Sequence, residues 1–331
     1  MIMLKFVRMS LGCLWISLLL STITGCISLQ DSLYQHTLEH QRHKADLRLN
    51  RVTISDHHIS YLEGGQGPTL ILVHGFGANK DNWLRLAPHL VANYHVLIPD
   101  LPGHGDSSQD LNLNYDIESQ VARLREFSQA LKLTQFHLAG NSMGGAISLF
   151  YSAWFPDQVL SLTLIDSAGV ESPRQSELFQ QLAEGKNPLI VQRPGDLARL
   201  AEFVMSQPPF VPWPLSAAIE RRLLARQVIN HKIFADILGT RQRYQSLTDP
   251  LVLLRRIQAP VLIIWGEEDR VLDASSVTVF VSALPQAEVA VLPAIGHVPM
   301  LEAPKQTAAL LLDFLSSPQN NPSQDRVSRH Q

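Results

Sequence analysis

Four short stretches of this 331-residue chain carry residue types that could do covalent chemistry. HLAGNSMGGAIS, residues 137–148, sets Ser142 between Gly140 and Gly144 in the pattern G-x-S-x-G. A serine hydroxyl becomes a useful nucleophile when a base takes its proton, and an imidazole base needs a carboxylate to fix its tautomer. Both partner types occur late in the chain, Asp269 in WGEEDRVLD and His297 in AIGHVPM. HGFG, residues 74–77, adds a glycine-bearing loop that could turn backbone N–H groups toward developing negative charge. Together these residue types describe acyl transfer through a serine. Singly they are weak, since a chance G-x-S-x-G is expected in about one chain in ten of this length.

The elements that must position these residues are legible as alternating patterns. RVTIS and HHISYLE read as a starting hairpin, and TLILVHG and HVLIPD are nearly all apolar, as buried parallel strands are. FHLAGNS, VLSLTLIDSAG, APVLIIWGEED and AEVAVLP continue the series. Helical patterns fall between them over 82–92, 116–131, 143–155, 273–283 and 302–315. Strands alternating with helices predict βαβ units, hence an α/β fold with a mostly parallel central sheet flanked by helices. Residues 170–258 break the rhythm with helical stretches and the proline-aromatic segment QPPFVPWPL. That interval is too long for a loop and predicts an inserted helical cap over the carboxyl edge of the sheet. Its Phe203, Phe210 and Trp213 could line an apolar acyl pocket or form the cap's own core.

Mapped onto this scheme, every chemically plausible residue falls at a strand end on the same edge. Ser142 closes one strand and opens a helix, so Gly140 and Gly144 would surround a sharp turn that lifts the hydroxyl out of the sheet. The N–H of Met143, at a helix N-terminus, and that of Phe76 are the expected oxyanion donors, with His74 and Gly75 supporting the loop. The chain order Ser142, Asp269, His297 is that of the α/β-hydrolase triad. The acid is the least fixed member. Glu267, Glu268 and Asp273 crowd Asp269, and Asp166 ends the preceding strand, where some relatives keep their acid. GGQGP precedes a strand, so it is a turn rather than a dinucleotide fingerprint, and no Walker lysine or H-E-x-x-H is present. No metal site and no cofactor are expected.

Composition limits the remaining classes. With 45% apolar and 17% charged residues the chain is core-forming, and a formal charge of −3 without a basic block disfavours nucleic acid. Both cysteines, Cys13 and Cys26, lie in the first 26 residues, so the body has no disulfide. Lys5 and Arg8 precede an apolar run from 11 to 20 and then small residues, which predicts a signal peptide over 1–25. The run is short for a spanning helix, for which ~20 residues are needed. ITGC resembles a bacterial lipobox, which implies lipidation of Cys26 and a cell-envelope lipoprotein held to the membrane, on the outer membrane or facing the periplasm. A plain secretory signal with an incidental cysteine, hence a secreted protein, is the alternative. Residues 26–50 are expected to be a tether or first helix carrying His36, His40 and His43 at helical spacing, without an acidic partner for a metal. The main domain is expected over 51–315, and the polar tail 316–331 is expected to be disordered. A monomer is expected.

Taken together, the chain resembles the α/β-hydrolase superfamily over roughly residues 45–315. Within it the chain is similar to the bacterial lipases of the Moraxella and Psychrobacter cold-active type. The blocks that carry this are LVHGFGANKDNW, IPDLPGHGDSS, GNSMGGAIS, LIDSAG, NPLIV, FVMSQPPFVP, IIWGEEDRVLD and GHVPMLEAP. IIWGEEDRVLD is also similar to monoacylglycerol lipases. The resemblance implies ester hydrolysis on acylglycerols, with a lipid or ester substrate and Ser142, Asp269 and His297 as triad. A short-chain esterase, or a carbon–carbon bond hydrolase sharing GNSMGG, is the alternative. Dehalogenases and epoxide hydrolases, which need an aspartate at position 142, are excluded. A non-catalytic binding module should have lost a triad member.

Overall fold

The computed structural model describes residues 27–245 and 251–317. An N-terminal helix, α1 (27–44), precedes eight strands: β1 (Arg48–Thr53), β2 (His58–Gly64), β3 (Thr69–Val73), β4 (His95–Pro99), β5 (Phe136–Asn141), β6 (Val159–Ile165), β7 (Val261–Gly266) and β8 (Glu288–Leu292). They form one sheet in the order β1-β2-β4-β3-β5-β6-β7-β8. The hairpin β1–β2 and the β2–β4 pair are antiparallel, and every later pair is parallel. The mostly parallel sheet is the one the strand and helix alternation predicts, and the arrangement is the α/β-hydrolase fold that the resemblance implies. The leading hairpin starts at Arg48, ahead of residue 51.

Both faces of the sheet are covered, which is why its central strands read as continuous apolar runs. Side chains alternate between the two sides with period two. Ile71, Val73, Leu138 and Ile263 pack on one side with Val121 and Phe127 of α2 (Ile117–Ala130) and Ile147 and Phe150 of α3 (Met143–Trp154). Leu70, Leu72, Ala139 and Ile264 face the other, against Trp83, Leu86, Leu311 and Phe314. The helical pattern over 82–92 is the one that fails. There the chain forms two short 3-10 turns, Lys80–Trp83 and Ala87–His89. Pro88 has no N–H to donate, and its ring would clash with the carbonyl one turn earlier.

The interval 170–258 carries α4 (Glu177–Ala183), α5 (Asp196–Val204), α6 (Leu215–Ala225) and α7 (Gln227–Gln245), with no strand among its described residues. The remaining helices are α8 (Ser276–Ala283), α9 (Pro299–Glu302) and α10 (Pro304–Ser316). Within the cap, Phe203 is buried with Leu178 and Val271. Phe210 and Trp213 are 89% and 74% exposed, so they belong neither to a pocket wall nor to the cap's core.

Helix α1 lies on the folded body. Arg42 grips Asp81 through two hydrogen bonds of 2.7 and 2.6 Å, and Arg221 of α6 reaches Gln30 and Asp31. His36, His40 and His43 are exposed on it and do not form a metal-binding group. The predicted signal peptide, Cys26 and residues 318–331 of the predicted tail lie outside the described residues.

Candidate active site

Ser142 sits between β5 and α3 with φ 57° and ψ −119°, a left-handed backbone that a side chain rarely adopts. Three main-chain bonds hold it there. Its N–H donates to the Ile165 carbonyl at 3.0 Å, and its own carbonyl accepts from Ala146 and Ala168. The flanking glycine at 144 is required by space: a Cβ there would stand 2.3 Å from the Val73 carbonyl oxygen. On the opposite side Gly75 lets the β3 loop approach Ser142, because a Cβ at 75 would meet the serine Cβ at 3.2 Å.

That loop is fixed by His74. The ring is buried, with Nδ1 donating to the Gly75 carbonyl at 2.8 Å and Nε2 accepting from the Leu101 N–H at 2.9 Å. Burial pushes its pKa down to about 4, so the ring is neutral and this tautomer is set. The amides of Phe76 and Met143 donate to no backbone carbonyl among the described residues, leaving both available beside Ser142. The Phe76 ring packs edge-on against Phe234 of α7 at 5.2 Å, which ties the loop to the cap.

Asp269 follows β7 and His297 follows β8. His297 Nδ1 lies 2.7 Å from Asp269 Oδ2, and both residues are buried. The Asp269 Oδ1 accepts from the amides of Val271 at 2.8 Å and Leu272 at 3.0 Å, so the carboxylate has little rotational freedom. With its proton on Nδ1 facing the carboxylate, the ring keeps an Nε2 lone pair; that atom is buried and bonds to no protein group. The competing acids are accounted for. Glu267 and Glu268 are exposed, and Asp273 binds Arg174 and the Ser275 amide. Asp166 is buried beside Asp269.

Several residues that the sequence did not single out complete the site. Asn141 Nδ2 donates to the carbonyls of Ile165 and His297, each at 3.1 Å. Lys80, 1% exposed, reaches Asp100 and Asp106, both at 2.6 Å, beneath the HGFG loop. Arg226, at the end of α6, donates to the Gly103 and Gly105 carbonyls of the β4 loop. Lys80 and Asp100 fall within the blocks HGFGANKDNW and IPDLPGHGDSS, but a pairing across 20 residues has no periodic signature.

A serine on a sharp strand–helix turn, with a histidine–carboxylate pair brought to the same edge by later strands, defines the serine-nucleophile class of α/β hydrolases. The chain belongs to the alpha/beta hydrolase family, which matches it over residues 70–310. It is 34% identical to Lipase 1 of Psychrobacter immobilis over 295 residues, spanning 87% of this chain and 91% of that one. It is 30% identical to human monoacylglycerol lipase ABHD6, over 80% of each chain. Among solved structures it is similar to a membrane phospholipase A described as a bacterial virulence factor. The identity there is 42% and the TM-score 0.85, over 93% of this chain and 98% of that one.

Proposed function

We propose that this chain is a serine hydrolase of fatty-acyl esters of glycerol. The observation that carries this reading is the 2.7 Å contact between His297 Nδ1 and Asp269 Oδ2, at the sheet edge where Ser142 is held at φ 57°. The named relatives, two lipases and a phospholipase, support an acylglycerol as the substrate class.

In this reading His297 Nε2 takes the Ser142 proton as the hydroxyl oxygen attacks the ester carbonyl. The negative oxygen of the tetrahedral intermediate accepts hydrogen bonds from the Phe76 and Met143 amides, each donor typically supplying a factor of about 100 to 1,000. His297 then protonates the leaving alcohol oxygen, and Asp269 stabilises the imidazolium while it exists. Water attacks the acyl-serine by the same route in reverse and releases the carboxylic acid. A groove of ≈ 440 Å³ beside Asp269 is lined by Glu202, Glu267 and Glu268 among others, a poor surface for an acyl chain.

The lipobox-like ITGC further supports a lipidated Cys26 that holds the enzyme at the cell envelope. Among the described residues no helix is long and apolar enough to cross a membrane. Incorporation of a labelled fatty acid that is abolished by Cys26→Ser tests the anchor.

A fluorophosphonate should label Ser142 and nothing in Ser142→Ala; an unlabelled wild-type protein would refute the serine mechanism. A p-nitrophenyl ester series with emulsified triglyceride alongside should show activity on long chains. Activity confined to acetate and butyrate would replace the lipase reading by a short-chain esterase.

A further inference from the structure

Two carboxyl groups stand at the histidine, and only one of them has a role in the triad. Asp166, the residue after β6, is completely buried and holds a positive φ of 44°. Its Oδ1 accepts from the Gly266 amide at 2.8 Å, while its Oδ2 is buried with no N–H or protein hydroxyl to accept from. Oxygens of Asp166 and Asp269 and a ring nitrogen of His297 all lie within 4.8 Å of one another. Two adjacent buried carboxylates cannot both stay charged. The hydrogen bonds decide where the charge goes. Asp269 has three donors, the amides of Val271 and Leu272 and the His297 ring, whereas Asp166 has one. The charge therefore rests on Asp269 and the shared proton on Asp166.

We propose that Asp166 is a positioning residue held as a neutral carboxylic acid, whose O–H donates to Asp269 and fixes that carboxylate against His297. This rests on the triad reading above. The two oxygens of Asp166 then do opposite work: Oδ1 accepts from the strand end at Gly266, and Oδ2 carries the proton toward Asp269. The titratable groups that face it are Asp269, His297 and Glu302 of α9. Burial and the Asp269 charge both push the Asp166 pKa well above the ordinary carboxyl value, in keeping with this placement. A carboxylic acid in this place adds a donor to the triad without adding a second negative charge beside the imidazole.

The test compares Asp166→Asn, Asp166→Ala and Asp269→Asn with the wild type in the full chain. Asn keeps a neutral donor and an acceptor, so kcat/KM should stay within about 3-fold and its acid limb, which reports the base in the free enzyme, should not move. Ala removes the donor and should lower kcat by roughly 10- to 100-fold at nearly constant KM, the range one hydrogen bond to a charged group is worth. At about pH 8, above any ordinary carboxyl pKa, the infrared spectrum of wild type should show a protonated-acid carbonyl stretch that Asp166→Asn lacks. This last readout needs no activity, and it stands if the Ala variant fails to fold. An acid limb displaced downward by a unit in Asp166→Asn would mean that Asp166 is ionised, and would overturn the proposal. So would an Asp166→Asn enzyme as inactive as Asp269→Asn, an Ala variant with wild-type kcat, or a missing carbonyl band. Failure of Ser142 to react with a fluorophosphonate would instead sink the triad reading itself, which keeps the two failures distinct.

Discussion

The side-chain amide of Asn141 donates to the main-chain carbonyl of His297 at 3.1 Å, across 156 residues of sequence. One residue before the serine thus ties the β5 turn to the loop that bears the histidine. A second bond from the same nitrogen reaches the Ile165 carbonyl, so the tie also anchors β6, the strand that leads to Asp166. Removing the side chain leaves the His297 carbonyl short of a donor, whereas the Ile165 carbonyl keeps the Ser142 N–H.

Asn141→Leu should lower kcat by about 10-fold or more with KM little changed, and should destabilise by about 1–3 kcal/mol. Steady-state kinetics and urea unfolding on the same preparation check both. A variant with unaltered kcat would show that the His297 loop keeps its place without this bond.

Asp269→Asn should fold normally and lose on the order of 10,000-fold in kcat, because an amide in this position favours the wrong imidazole tautomer. The pair of measurements is the thermal midpoint and the turnover number. Full activity in this variant would transfer the acid's role to another carboxyl.

Acid should unfold the protein early. His74 and His137 are buried and pushed down to about 4 from an ordinary 6.5, and buried His104 is also pushed well down. Their folded pKa values lie below the unfolded one, so between pH 6.5 and about 4 the unfolded chain binds protons that the folded chain refuses. The stability from their neutral burial is complete above pH 6.5 and is lost as the pH falls toward 4. The upper bound is about 3 kcal/mol for each histidine shifted to about 4. Urea midpoints measured from pH 8 down to 5 should fall steeply, and less steeply in His137→Gln. Parallel slopes would exclude His137 as a contributor.

Lys80→Met should be far worse than its apolar burial suggests. It would strand Asp100, which is fully buried and whose Oδ2 bonds the ammonium at 2.6 Å. A stranded buried charge typically costs about 3–5 kcal/mol, and the double variant Lys80→Met with Asp100→Asn should recover part of it. A double-mutant cycle by calorimetry supplies the coupling, and strict additivity would refute it.

Replacing Phe210 and Trp213 by serine should change stability by no more than about 0.5 kcal/mol per site, since both rings stand in solvent. If the cap meets a lipid surface through them, hydrolysis of emulsified triglyceride should fall relative to a dissolved short ester. An unchanged ratio would remove these rings from substrate capture.

How much of this was legible without coordinates follows from range. The β-strands and the turn at Ser142 are written in local patterns: apolar runs for strands covered on both faces, and glycines where backbones must touch. The same patterns misread residues 82–92, where Pro88 breaks a helical periodicity into two 3-10 turns. They also left Phe210 and Trp213 as pocket or core residues, because an aromatic side chain does not announce whether it is covered.

Sequence by itself determined the chemistry on offer, a candidate nucleophile, acid and base in that order after β5, β7 and β8, because parallel strands deliver their carboxyl ends to one edge. Tertiary structure alone decided which carboxylate meets His297. Chain order favours Asp269, but Glu267, Glu268, Asp273 and Asp166 crowd it as letters. Only the packed loop after β7, with two amides on one oxygen of Asp269 and the imidazole on the other, separates them. The Asn141 tie and the Lys80–Asp100 pair belong to the same category. They are contacts between distant segments, set by how the sheet brings its loops together, and no local pattern records them.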